Sequence, residues 1–200
     1  MPRFRYPCPD CRTTNSLHET GCEFEGVDWH EIERAYVDTL VVLADGPVSE
    51  STLLHSIPGG RDAWSGRHRA ALDLLQREGR VEERDDELVL LDPEEYRESV
   101  AEPTREPLGT IYREGTVPGA HDNGVFALIA YYEMVGLSWP ETREKVVEWL
   151  HESGAWTRGG FEESSPAELV DKKRHVYEAG YGWKEKAEAA KRVIDAHTSR

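Results

Sequence analysis

Three cysteines and one histidine near the amino terminus constrain this chain more than any other feature. Cys8, Cys11, His18 and Cys22 read C-x2-C-x6-H-x3-C, and the chain holds no further cysteine. Three thiolates and one imidazole are a donor set that zinc takes at tetrahedral geometry. Four protein ligands leave no position for water, so a structural site is expected. The Cys8-Pro9-Asp10-Cys11 turn aims two sulfurs at one point, and His18 and Cys22, four residues apart, would share one face of a helical turn. A disulfide would leave one cysteine over, and a redox Cys-x-x-Cys expects a βαβ pattern that does not follow. His30 is the alternative imidazole. Residues 1–27 are too few to bury a core, so the metal is expected to supply the module's folding energy.

The charge balance pulls the other way from a phosphate-binding role. Asp and Glu number 39 against 24 Lys and Arg, a net charge of -15, and such a surface repels phosphate. The acids are scattered and lysine is scarce beside arginine. This composition resembles that of haloarchaeal proteins, whose salt-rich cytoplasm shortens the Debye length and mutes the repulsion. No apolar run approaches the roughly 18 residues of a membrane span, and no signal peptide is evident. The few cysteines, grouped as ligands, fit a reducing compartment. A soluble cytoplasmic protein without a membrane partner is expected.

From Trp29 the apolar period becomes helical. Ile32, Tyr36, Leu40 and Leu43, with Ala35 and Val42, form one stripe that Asp45-Gly46 ends. Pro47-Val48 reads as a short strand. Ser49 or Ser51 caps a short helix carrying Leu53, Leu54 and Ile57, and Pro58-Gly59-Gly60 is a turn. A longer helix starts near Ser65, with Ala70, Ala71, Leu74 and Leu75 inside and Gly79 at its end. Residues 80–84 and 87–91 read as strands joined by Asp85-Asp86, a hairpin turn. Through GPVSESTLLHSI and SGRHRAALDLLQREGRVEERDDELVLL, this order of helix, strand, helix, helix and hairpin resembles the winged helix-turn-helix family.

Residues 93–118 read as an acidic linker, with some helix near 94–100 and prolines at 103, 107 and 118 favouring an extended, solvated segment. Residues 119–200 read as four helices. Asp122 or Asn123 caps the first. Ser138-Trp-Pro-Glu141 and Ser165-Pro-Ala-Glu168 are capping boxes for the second and third, and the fourth runs from Trp183 to about His197. The stretches HDNGVFALIAYYEMVGLSWPETREKVVEWL and AELVDKKRHVYEAGYGW resemble the small helical C-terminal domain of primase-polymerases. No polymerase-like domain precedes them here, so that resemblance implies an accessory role and no primase activity. The expected fold is mainly α: a zinc finger (1–27), a winged helix of α+β type (28–92), the linker (93–118) and a four-helix C-terminal domain (119–200).

A winged helix places its third helix in the DNA major groove. Here that helix and its lead-in carry Arg61, Arg67, His68, Arg69 and Arg77, and arginine suits guanine and phosphate alike. The wing opposes this, because Glu82, Glu83, Asp85, Asp86 and Glu87 lie where a basic phosphate contact would sit. Lys172, Lys173, Arg174 and His175 form the densest basic run, mid-helix and near Tyr177, Tyr181 and Trp183. They could hold a phosphate backbone and stack bases, or face water while the aromatics fill the core. His121-Asp122 has no catalytic companions, and Asp122 already serves as a cap. A non-catalytic, zinc-containing DNA-binding protein is expected, in transcription regulation or DNA replication and repair. Duplex is expected over single strands, with the C-terminal helices dimerising or binding a protein. The alternative is an adaptor docking on a polymerase or primase through the winged helix and helical domain.

Overall fold

In a computed structural model, residues 5–199 are described. Residues 1–4 of the expected zinc module and Arg200 of the expected helical domain lie outside the described residues. The fold is mainly helical, with one small antiparallel sheet among the described residues. No helix among them is long and apolar enough to cross a membrane.

The first part is built on α1 (Trp29–Ala44), α2 (Glu50–Ser56), a 3-10 turn (Gly60–Ala63) and α3 (Gly66–Arg77). Asp28 caps α1 by accepting from the His30 amide, Ser49 caps α2, and Ser65 opens α3 in a capping box closed by His68. Ile32, Ala35, Tyr36, Thr39 and Leu43 are the buried face of α1. Leu40 and Val42, expected in that stripe, are only partly buried. Strands β1 (Val81–Arg84) and β2 (Glu87–Leu90) pair from Val81 with Leu90 to Arg84 with Glu87. Both residues of the connecting turn have positive φ, Asp85 at 53° and Asp86 at 64°, the conformation of a type I′ hairpin. The short strand expected at Val48 is a single bridge to Leu88, with both backbone hydrogen bonds formed (3.2 and 2.8 Å).

The segment 93–118 departs from the extended, solvated linker its prolines predict. It forms α4 (Pro93–Val100), capped by Asp92, and α5 (Leu108–Glu114). Tyr96, Val100, Leu108 and Ile111 are buried, and α5 packs against α6 (His121–Met134) and α10 (Lys184–Thr198). Burial of four large apolar side chains outweighs the solvation that the glutamates favour.

Helix α6 is the centre of the C-terminal part. It is buried on nearly every face, as a helix apolar all round must be. It starts one residue before Asp122, so Asp122 is a first-turn residue rather than the expected cap. Helix α7 (Trp139–Glu152) begins at the predicted capping box, where the Ser138 amide donates to Glu141 at 2.8 Å. Ser165 caps α8 (Pro166–Lys172) as predicted, but the reciprocal half of that box fails because the Glu168 carboxylate accepts from Ser164 instead. The third expected helix is broken: α8 ends at Lys172 and α9 (Arg174–Ala179) follows, with Lys173 at φ -94° and ψ 10°.

Candidate metal centre

The loop 5–27 has no regular helix or strand, and its shape comes from turns around Cys8, Cys11, His18 and Cys22. The Cys8 amide donates to the Thr13 carbonyl (2.7 Å) and the Arg12 amide to the Cys8 carbonyl (3.1 Å), with Arg12 at φ 70°. This closes the knuckle so that both its sulfurs face inward. His18 and Cys22 reach the same point without the helical turn expected of their spacing, because residues 14–21 run as bends and a turn. The Cys22 amide closes that turn on the Glu19 carbonyl at 3.1 Å. Asp10 ties the two halves together, accepting from the Glu23 amide (3.0 Å) and from Lys184 (2.6 Å).

The ligand atoms converge. Sγ of Cys8 and Cys22 are 3.5 Å apart, and His18 Nδ1 lies 3.5 Å from Cys22 Sγ and 3.7 Å from Cys11 Sγ. All four ligand atoms fall within 4.8 Å of one another. Metal–sulfur bonds of about 2.3 Å and a metal–nitrogen bond of about 2.0 Å set tetrahedral edges of about 3.8 and 3.5 Å. The three short edges lie close to these values, whereas a disulfide needs sulfurs about 2.0 Å apart. The cysteines are free. Cys8, Cys11 and Cys22 are buried and His18 half-buried, with Nδ1 toward the sulfurs and Nε2 buried without a hydrogen-bond partner. The set could therefore hold one metal ion, with Nδ1 as the imidazole donor. His30 cannot serve, because it is exposed and pairs with Glu33 at 3.3 Å.

The electrostatics fit that use. A hydrogen bond with Cys8 draws the Cys11 thiol down to about 4, while the same bond, then burial, pushes Cys8 up. Burial also raises Cys22. The cluster favours one thiolate at a time, and a bound cation is what would ionise all three. Glu19, on the same loop, is pushed up to about 7 by burial first and by the charge of Cys11 second.

The loop is seated on the rest of the chain through polar contacts. Tyr36 donates to the Pro7 carbonyl (2.7 Å), Thr13 Oγ1 to the Gly180 carbonyl (2.9 Å), and Arg5 pairs with the buried Glu133 of α6 (3.3 Å). Two glycines permit this approach. A Cβ at Gly180 would collide with Thr14 Oγ1, and one at Gly182 with the Cys11 carbonyl. Arg12, which no sequence pattern marks, is buried beneath the knuckle with its Nε 3.7 Å from the Glu78 carboxylate, whose side chain is 9% exposed.

The basic residues named as nucleic-acid candidates do not form one patch. Arg67 and Arg69 are exposed on the first turn of α3, Arg67 paired with Glu31 at 3.0 Å and Arg69 with Glu50 while lying over Trp64. His68 turns inward, against the expectation that it reaches base edges. It is 8% exposed and bonded to Ser65 (2.9 Å) and Asp38 (3.3 Å) because it completes the helix cap. Arg61 is exposed on the 3-10 turn, and Arg77 lies at the far end of α3, most of a helix length from Arg67. In the second cluster, Lys172 meets Glu163 (3.1 Å), Lys173 meets Asp122, and Arg174 meets Glu178 (2.8 Å) and the Trp139 ring. The break at Lys173 divides this run between two helices rather than splaying it round one.

A family model described as a family of unknown function (DUF7474) matches residues 2–197. No curated protein and no solved structure matches the chain.

Proposed function

The chain belongs to this family of unknown function, and from that premise we propose that it is a zinc-stabilised, non-catalytic DNA-binding protein. The loop 5–27 holds structural zinc, and residues 28–92 act as a winged helix whose α3 enters the major groove of duplex DNA. Sulfur and imidazole donors at closed tetrahedral spacing suit zinc better than the hard, oxygen-seeking cations. The observation that carries the DNA reading is the outer face of α3. Its inner face, Ala71, Leu72, Leu74 and Leu75, packs inward, while Arg67 and Arg69 remain exposed. The bridge of Val48 to Leu88 beside the hairpin supports the winged-helix reading of this part. Glu31 and Glu50 hold the two guanidiniums in place, and phosphate would exchange for them at the surface, where such pairs are weak.

The test is binding of duplex and single-stranded DNA across a salt series, with zinc content measured on the same sample. Affinity should fall steeply with salt, and Arg67→Ala with Arg69→Ala should reduce the slope by about 2 without lowering stability. An unchanged slope removes α3 from the interface. A second reading is favoured by the carboxylate beside each of Arg67, Arg69, Lys172, Lys173 and Arg174, and by the acidic hairpin. In that reading the protein is an adaptor docking on a polymerase or primase subunit. Absence of DNA binding at moderate salt, from folded protein holding one zinc, selects it.

A further inference from the structure

Helix α1 packs one side against α3, β2 and α2 and leaves the opposite side in solvent. At 3.6 residues per turn, Arg34, Val37, Val41 and Ala44 fall within about 80° of arc, away from the buried Ile32, Thr39 and Leu43. All four are exposed, Val37 by 38% and Val41 by 55%. Valine is a poor helix former because its branched side chain loses rotamer freedom against the preceding turn. Two valines one turn apart on a solvated helix face therefore have no local reason to be there. Asp45, the exposed C-cap of α1, lies on the same edge of the strip as Arg34. An acid at that end opposes the helix dipole. Neither Arg34 nor Asp45 has a side-chain hydrogen bond or ion pair among the described residues.

We infer that this strip docks a second copy of the chain, the two α1 helices lying antiparallel about a twofold axis. An axis at the level of Thr39 sets Val37 of one copy against Val41 of the other, twice. The same operation brings Arg34 beside Asp45 of the second copy, offset by about 1.5 Å along the helix. Arg34 and Asp45 share one edge of the strip, and a twofold axis across the pair keeps that edge on one side of the contact, so both ion pairs form together. A parallel pair would instead set Arg34 against Arg34 and Asp45 against Asp45. The strip is thus its own complement, as an isologous contact requires. It also carries one charge of each sign in a chain of net charge -15, whose surface elsewhere repels a second copy. One helix pair is a small contact, which sets the affinity in the micromolar range.

The test is sedimentation equilibrium of the zinc-loaded full chain from about 1 to 300 µM in about 0.15 M salt. A monomer–dimer equilibrium with Kd on the order of 10–100 µM is expected. Val41→Glu puts an acid at the centre of the strip, at an exposed position where glutamate is the better helix former. It should leave monomer throughout, with circular dichroism and zinc content unchanged. Arg34→Glu and Asp45→Arg should each weaken the dimer about tenfold, and the two together should restore it to within about threefold of the original chain. The inference is overturned if the unaltered chain stays monomeric at the highest concentration, whether the strip is then bare or serves another protein. It is overturned equally if the dimer survives Val41→Glu, as a contact through the C-terminal helices requires, or if the double variant dimerises no better than the single ones.

Discussion

The loop 5–27 and helix α6 lie against each other and hold their shapes by opposite means. Helix α6 is apolar on all sides, and α5, α7, α9 and α10 bury it. Its stability comes from area removed from water. The loop contributes Cys8, Cys11 and Phe24 to the common core, but its backbone follows turns and left-handed residues that no apolar period would select. A seam of hydrogen bonds ties it to its neighbours, and four ligand atoms converge inside it, where the proposed metal would add its binding energy. A segment shaped by a few specific groups should fail abruptly when one is removed, and a segment shaped by area should fail by degrees.

The largest expected effect follows from metal removal. Structural zinc in small modules contributes binding free energy on the order of 10 kcal/mol. Chelation, or Cys11→Ser, should release the metal and expose the amides of residues 5–27 to hydrogen exchange while α6 stays protected. Unchanged protection in the loop would break the comparison at its root. Arg12→Ala comes next, because it strands the Glu78 carboxylate in a buried site. A loss of about 3–5 kcal/mol in urea unfolding is expected, and a loss under 1 kcal/mol would show that the pair is already solvated. Leu128→Ala in α6 should cost about 2–5 kcal/mol with metal content unchanged. Loss of metal in that variant would show that the two regions do not fail separately.

The seam gives a smaller effect. Thr13→Val removes one buried hydrogen bond to Gly180 and should cost about 1 kcal/mol. The smallest is a pH dependence within the helical part. Burial holds His121 below its ordinary value, against the opposing hydrogen bond of Nε2 to the Gly159 carbonyl at 2.9 Å, with Nδ1 2.7 Å from Thr116 Oγ1. The unfolded chain takes the proton first, so stability is full above about pH 6.5 and falls as pH drops below it. His121→Gln should flatten that fall in a pH series of melting curves. An equally steep fall would assign the acid sensitivity elsewhere.

Much of this molecule was legible because the relevant contacts span only a few residues. Ser49, Ser65, Ser138 and Ser165 open helices where their side chains predict. Asp85-Asp86 turns the hairpin because aspartate tolerates positive φ. What failed to read through was partnership at long range. Leu108 and Ile111 lie in the segment read as an acidic, extended linker, and only the presence of α6 and α10 makes their burial worthwhile. His68 looked like one more cation in a basic run until Asp38, thirty residues earlier, proved to face it. Nothing near Glu78 in sequence announces Arg12.

The sequence alone therefore determined the donor set at Cys8, Cys11, His18 and Cys22, the helix starts at Ser49, Ser65, Ser138 and Ser165, and the hairpin turn. Each is decided by donor chemistry or by bonds between residues close along the chain. The tertiary structure alone decided that the loop 5–27 sits on Gly180 and Gly182, that Arg12 faces Glu78, and that Arg67, Arg69, Lys172, Lys173 and Arg174 each have an acid beside them. Those outcomes depend on which distant segments share a buried surface, and burial is a property of the packed chain rather than of any stretch within it.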